Sequence, residues 1–449
     1  MLALETVGEV QLVWRKGGVQ MIPIYSIPST VKQLYSGYRC CFLNEAQYTH
    51  FLRYETGLLM PVKANVESIN SLFCSALKRD SSNVNRFLTE TDWEKSDMES
   101  VRIEGLKRHP ILRPGKRGVI AIDEVLLEKT GAQMEGVGWL YDHCQDKDIL
   151  CHCVVSSSYN KLGESYPLYL RPYFKQKVCG SAEGQALGLE FHTKLEIARG
   201  IIEQILSEDI AGVFAFDNVY LEQQVIDPIE QAGRVWISSL EKNRTVDWRP
   251  RKGEKWPQLQ QIIAQIPKYR YHKVKLYGRV YWCYLQETYI SQLEGEKKVL
   301  ICFPDEIGKT DPMLLVTNAL WFDAVRILSG WLARWPIESL HRECQQHEGL
   351  SQYQMRNLEG IQKHWELVAC AYAGLVSKRA YARRGVPYRL TVHSVALDVL
   401  VEVAVAFAHH VWEKAKQGIE SFLSIRWELE AFYSQFKLLS QARCEPLHI

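Results

Sequence analysis

A chain of 449 residues exceeds the usual size of one hydrophobic core, so roughly two to four packed units are expected. With 47% hydrophobic and 24% charged residues the composition is that of an ordinary globular protein, neither disordered nor fibrous. A net charge of +2 argues against a protein that coats DNA through bulk positive charge, and no apolar run or leader-like N-terminus marks a membrane span or secretory signal, so a cytoplasmic protein is expected.

The first hundred or so residues carry apolar side chains at helical spacing, in EAQYTHFLRYETGLL and again in NVESINSLFCSALKRDSSNVNRFLTETDW. The second stretch breaks at Asp80 to Asn83, where turn and N-cap residues separate two helices. A helix-turn-helix and a plain helical subdomain fit this pattern equally well. A basic Pro/Gly linker, RHPILRPGKRG, then leads into GVIAIDEV, which reads as a buried strand opening a new domain.

A strand around Val137 to Tyr141, another at Ile149 to Ser156 and a Tyr- and Pro-containing loop come next. An amphipathic helix at about His192 to Leu206, the strand GVFAFDN, a helix at about Leu221 to Ala232 and the strand RVWISSL complete a β-β-β-α-β-α-β order. From Thr245 to about Asn318 alternating runs such as HKVKLYGRVYWCYL predict a β-rich insertion, after which helical periodicity persists to the end. The expected units are 1–112 (helical, contacting DNA ends), 113–244 (first part of an α/β core), 245–318 (insertion), 319–365 (last part of the core) and 366–449 (helical).

Twelve cysteines without framework spacing fit a reducing compartment. The cluster His143, Cys144, Cys151, His152 and Cys153 lacks a CxxC pair and reads as a core strand ahead of a zinc site. Local basic stretches, KRHPILRPGKRG, EKNRTVDWRPRKGEK, KYRYHKVK and SKRAYARRG, are the candidates for nucleic-acid contact, although each alone is more often a solvated loop.

Asp123 closes the apolar run Val119-Ile-Ala-Ile, and Asp217 closes Val213-Phe-Ala-Phe. An acid at the end of a buried strand is costly unless it is paired, hydrogen-bonded or bound to a cation. Two on one sheet suit a hard divalent ion, which converts their mutual repulsion into attraction. For each acid alone, a helix N-cap or turn role is the commoner outcome. The third element is WLARWPIESLHRECQQHEG, where Pro336 suits the first turn of a helix and places Glu338 in that same turn.

Strand-borne Asp123 and Asp217 with helix-borne Glu338 resemble the DDE transposases of bacterial insertion sequences, and more closely the insertion-sequence-four-like superfamily with its Tyr-x2-Arg-x3-Glu-x6-Lys signature. Arg334-Trp-Pro-Ile-Glu338-Ser-Leu-His341-Arg342 looks like the core of that signature, and IDEVLLEKTG and FDNVYLEQQ…SSLEKNR look like the family's other blocks. The separations, 217 − 123 = 94 and 338 − 217 = 121 residues, leave room for the insertion. Trp331 stands where the signature has Tyr, and Gln345 where it has Lys.

The resemblance implies an α/β fold: a ribonuclease-H-like catalytic core with a β-rich insertion, flanked by helical N- and C-terminal regions. It implies Asp123, Asp217 and Glu338 as catalytic ligands of two Mg²⁺ ions, with Mn²⁺ able to substitute, and cut-and-paste transposition without a covalent enzyme intermediate. The expected DNA contacts are Arg334, Lys129, Arg342, His341, Tyr220, Arg244, Arg249, Arg251 and Lys252, and Trp331 and Trp335 could stack on an unpaired base or belong to the core. The implied partners are double-stranded DNA with terminal inverted repeats, target DNA and a second copy on paired ends. A transposase-derived DNA-binding protein that no longer cuts is the alternative, and a protein that contacts only other proteins is disfavoured because it leaves the strand-borne acids unexplained.

Overall fold

Ten strands form a single sheet in the computed structural model, which describes residues 22–60, 62–74, 81–248, 255–382 and 392–441. In chain order they are β1 (Val119–Glu128), β2 (Gly138–Asp142), β3 (Lys147–Lys161), β4 (Glu164–Tyr173) and β5 (Val213–Phe216), then β6 (Trp236–Ser239), β7 (His272–Leu276), β8 (Arg279–Tyr289), β9 (Glu296–Pro304) and β10 (Met313–Thr317). The spatial order is β2-β3-β1-β5-β6-β10-β9-β8-β7, with β4 also paired to β3.

Residues Val119 to Ile122 are buried, which is why this run is apolar at every position instead of alternating. β1 pairs antiparallel with β3 and parallel with β5, and β5 pairs parallel with β6. Helix Lys194–Ser207 connects β4 to β5, and helix Gln223–Gln231 connects β5 to β6. With β4 outside β3, this is the ribonuclease-H-like arrangement. Thr193 and Glu196 close a reciprocal capping box at the start of the first connecting helix, satisfying two otherwise orphaned backbone donors. Gly118 precedes β1 because any side chain there would run into the Tyr159 ring on β3.

The insertion extends the core sheet instead of forming a separate layer. β10 pairs antiparallel with β6, and β9, β8 and β7 follow outward as antiparallel neighbours. Helix Ala324–Leu332 lies across this extension, with Gly330 allowing its backbone to approach Ile237 on β6. β4 corrects the loop expected after β3. Pro167 sits at a register shift, where Ser157 faces Tyr169 and Ser158 faces Pro167, while Pro172 pairs in regular register with Val154.

The flanking helices do not stand apart from the sheet. Helices Glu45–Leu58 and Lys95–Arg108 pack against the long helix Leu358–Ala382, and one continuous core runs from Ile24 to Phe432. Fully buried Arg102 fastens three elements: its guanidinium pairs with Glu366 at 2.8 Å and donates to the carbonyls of Pro167 and Leu168, each at 2.7 Å. The expected break at Asp80 to Asn83 falls partly outside the described residues, where only its far side, from Ser81, is seen to start a helix. Among the described residues no helix is long and apolar enough to cross a membrane.

Candidate functional site

Asp123 lies in the middle of β1, five residues short of the strand's end, and this corrects the strand-end placement expected from its apolar run. The strand continues because β3 still pairs with it, whereas parallel pairing with β5 stops at Ile122 opposite Phe216. Asp217 follows directly as the residue after β5. Both acids therefore emerge where the two central strands part. Asp217 precedes a short 3₁₀ turn, yet its side chain caps no backbone N–H there, so a helix-capping role does not account for it.

Glu338 arrives from helix Pro336–Gln346, in which Pro336 occupies the first turn. The three acids meet at one cation. The Arg334 guanidinium stands 3.3 Å from Asp123 Oδ2, 3.3 Å from Asp217 Oδ1 and 3.1 Å from Glu338 Oε1, with its side chain only 5% exposed. It also lies 4.9 Å from the centre of the Trp331 ring.

Burial raises the pKa of Asp123, while the positive charge of Arg334 pulls it back. Asp217 and Glu338 are raised for the same reason, with Arg334 lowering both and neighbouring carboxylates adding to the rise. Ionised together, the acids carry three negative charges against one guanidinium.

Two polar residues of β3 set the position of this corner. Asn160, buried, donates from Nδ2 to the carbonyls of Ala333 at 3.0 Å and Arg334 at 3.1 Å, and Ser158 donates to its Oδ1 at 2.9 Å, which orients the amide. Ser156 Oγ lies 2.6 Å from Nε2 of His341 and donates to the Asp123 carbonyl at 3.4 Å. The sequence reading missed both. The run SSSYN inside an otherwise apolar strand was the available signal, since buried hydroxyls and amides need partners.

Several expected DNA contacts are directed elsewhere. His341 is buried against Ser156, and burial followed by the charge of Arg334 lowers it to about 4, so it is neutral. Lys129 is buried, with its ammonium donating to the Ser351 carbonyl at 2.7 Å and lying over the Tyr353 ring, and burial lowers it to about 7. Tyr220 is buried and donates to Glu124 at 3.3 Å, an acid that also pairs with Lys194 at 2.6 Å. Arg244 reaches Gln292 of the insertion at 2.9 Å.

Arg342 is exposed and donates to the Ser339 hydroxyl at 3.3 Å. Arg249, Arg251 and Lys252 lie outside the described residues. Trp335 is 61% exposed, while Trp331 is half-buried and lines an open cleft of about 590 Å³ with Asn218, Ser239 and Asn243. Gln345, at the Lys position of the signature, donates to the Leu126 carbonyl of β1 at 3.0 Å and so acts as a tether. His152, within the cysteine-rich run, bonds Tyr353 and the Glu135 carbonyl inside the core, as a structural strand requires.

The acids supply the hard oxygen donors that Mg²⁺ prefers, and they already gather round a positive charge. Among the described residues, however, no three His, Cys, Asp or Glu side chains close to metal-binding spacing. The Arg334 guanidinium lies within 3.3 Å of an oxygen of each acid. The residues fit a divalent ion in donor type, and Arg334 occupies the space among them.

The DDE superfamily endonuclease family model matches residues 37–268, just over half of the chain, a span that includes Asp123 and Asp217 and ends before Glu338. Among solved structures the chain is similar to a piggyBac transposase in a synaptic complex with hairpin DNA, at 8% identity and a TM-score of 0.39. That match covers 67% of this chain and 54% of the other, so the chain spans about half the length of that transposase. No curated protein matches the chain. By the family match, the chain belongs to the DDE superfamily endonucleases.

Proposed function

We propose that the protein is a transposase that cuts DNA strands at the ends of a mobile element and joins them to a target. The observation that carries this reading is the convergence of Asp123, Asp217 and Glu338 on a single buried guanidinium. Three carboxylates drawn together at the parting of two central strands destabilise a fold that has no use for them. The Arg334 to Glu338 spacing supports the narrower kinship with insertion-sequence-four-like enzymes.

Asp123, Asp217 and Glu338 would hold two divalent ions, Mg²⁺ or Mn²⁺, whose charge activates the attacking oxygen and stabilises the leaving one at a phosphodiester. Asn160 and Ser156 keep the Arg334 corner and the Glu338 helix in register with Asp123. Arg334 among the acids, and exposed Arg342 on the same helix as Glu338, could take a phosphate.

A second DNA surface lies at the free edge of the sheet. Lys268, Lys273, Lys275 and Arg279 are exposed and make no ion pair among the described residues, and exposed Tyr269 and Tyr277 sit among them. No acid occurs between Lys268 and Gln286. This edge would follow the DNA backbone by charge, while the N-terminal helices contact the element's ends. The protein would work in the cytoplasm as a homodimer on paired ends bearing inverted repeats.

The test is a nicking assay beside a gel shift, using a supercoiled plasmid that carries the DNA flanking the gene. Cutting that requires Mg²⁺ or Mn²⁺ supports the transposase. Tight binding without cutting in either metal would favour the transposase-derived DNA-binding protein.

A further inference from the structure

Arg334 is held by weak contacts to many partners. Its three carboxylate distances, 3.1 to 3.3 Å, are longer than the ~2.7–2.9 Å of a strong charge-assisted hydrogen bond. One guanidinium faces three acids, so its charge leaves the cluster short of neutrality. What fixes its place is the backbone: Asn160 holds the Ala333 and Arg334 carbonyls. The aromatic neighbour of its guanidinium, Trp331, lines the open cleft together with Asn218.

We infer that Arg334 is a stand-in cation, which occupies the centre of the acid cluster until DNA arrives and then exchanges its carboxylates for a backbone phosphate, freeing the acids for divalent ions. This rests on the metal-binding role given above to Asp123, Asp217 and Glu338. A guanidinium paired with all three carboxylates takes up oxygen lone pairs that a divalent ion would need, so the two compete for the same acids. A phosphate offers the guanidinium two charged oxygens that its fork can bond side by side, as a carboxylate does. Metal and DNA binding are therefore coupled, and by linkage each strengthens the other by the same factor. Without DNA the acids hold metal weakly, which would limit stray cutting.

The experiment measures Mn²⁺ binding by electron paramagnetic resonance on the full chain, without DNA and with a non-cleavable 20-base-pair phosphorothioate duplex. Arg334→Gln is expected to bind Mn²⁺ about tenfold tighter than wild type in the absence of DNA. The duplex should tighten wild-type Mn²⁺ binding by about the same factor and leave the Arg334→Gln affinity within about twofold. Arg334→Lys, which keeps the charge and loses the planar fork, should fall between them and carries the test if the Gln variant fails to fold. Equal Mn²⁺ affinity in wild type and the variants without DNA would overturn the exchange while Asp217→Asn still weakens binding. If Asp217→Asn leaves Mn²⁺ binding unchanged in every background, the metal site itself is wrong and the exchange falls with it.

Discussion

Asn160 on β3 and Arg334, 174 residues later in the chain, are joined by a 3.1 Å hydrogen bond from the Asn amide to the Arg carbonyl. The same amide reaches Ala333 at 3.0 Å, so one buried side chain fixes the turn from which the guanidinium enters the acid cluster. Asn160→Ala leaves two carbonyls without this donor and should cost about 1–3 kcal/mol in urea denaturation. Cleavage should fall further than this loss of stability accounts for, because the Arg334 corner loses its register with Asp123. A variant as stable and as active as wild type would remove Asn160 from the account.

The acids themselves should behave as a functional cluster and not as a structural one. Asp123→Ala and Asp217→Ala each relieve carboxylate repulsion and leave Arg334 two partners. Thermal melts of either should match wild type or lie slightly higher while strand cutting is lost. Destabilisation by several kcal/mol would make the cluster a structural ion network instead.

Much of this site was legible in the sequence. Apolar runs ending in Asp123 and Asp217 marked two central strands, and Pro336 marked the helix start that carries Glu338. What periodicity could not supply was direction. Lys129, His341 and Tyr220 were read as DNA contacts from their neighbourhoods, yet each is buried and bonded within the core. β4 was read as a loop because Pro167 and Pro172 signal breaks; the strand takes Pro167 at a register shift against β3 and Pro172 because only β3 flanks it. The convergence of three acids on Arg334 depends on contacts between residues 123, 217, 334 and 338, which no local pattern encodes.

The exposed edge of the insertion gives a salt-dependence prediction. Replacing Lys273, Lys275 and Arg279 together by Ala should reduce the slope of log affinity against log salt by about 2–3, at about 0.9 per phosphate contact on duplex DNA. Metal binding measured without DNA should not change. An unaltered slope would show these cations to be solvated and unused.

Glu348 offers a pH test remote from the acids. It is buried with Oε2 unpartnered, and burial, then the charge of Glu343, pushes its pKa up to about 8 from a usual 4.5. The folded state thus holds a proton that the unfolded state releases above 4.5. Stability from this group is full in acid, falls as pH rises from about 4.5 to about 8, and is level beyond. Glu348→Gln, which cannot ionise, should raise the melting temperature clearly at pH 8.5 and much less at pH 5. An equal change at both pH values would show that Glu348 does not titrate in this window.

The most direct test of the central claim is single-turnover cleavage by Glu338→Gln on the flanking DNA in Mg²⁺, measured beside its binding to the same DNA. Gln keeps the size and the place in the first turn of helix Pro336–Gln346 but removes the charge that meets Arg334 at 3.1 Å. The account predicts binding within about twofold of wild type and cleavage reduced by at least about a thousandfold, the loss expected when a metal ligand rather than a peripheral contact is removed. Cleavage by Glu338→Gln at a near wild-type rate would contradict it.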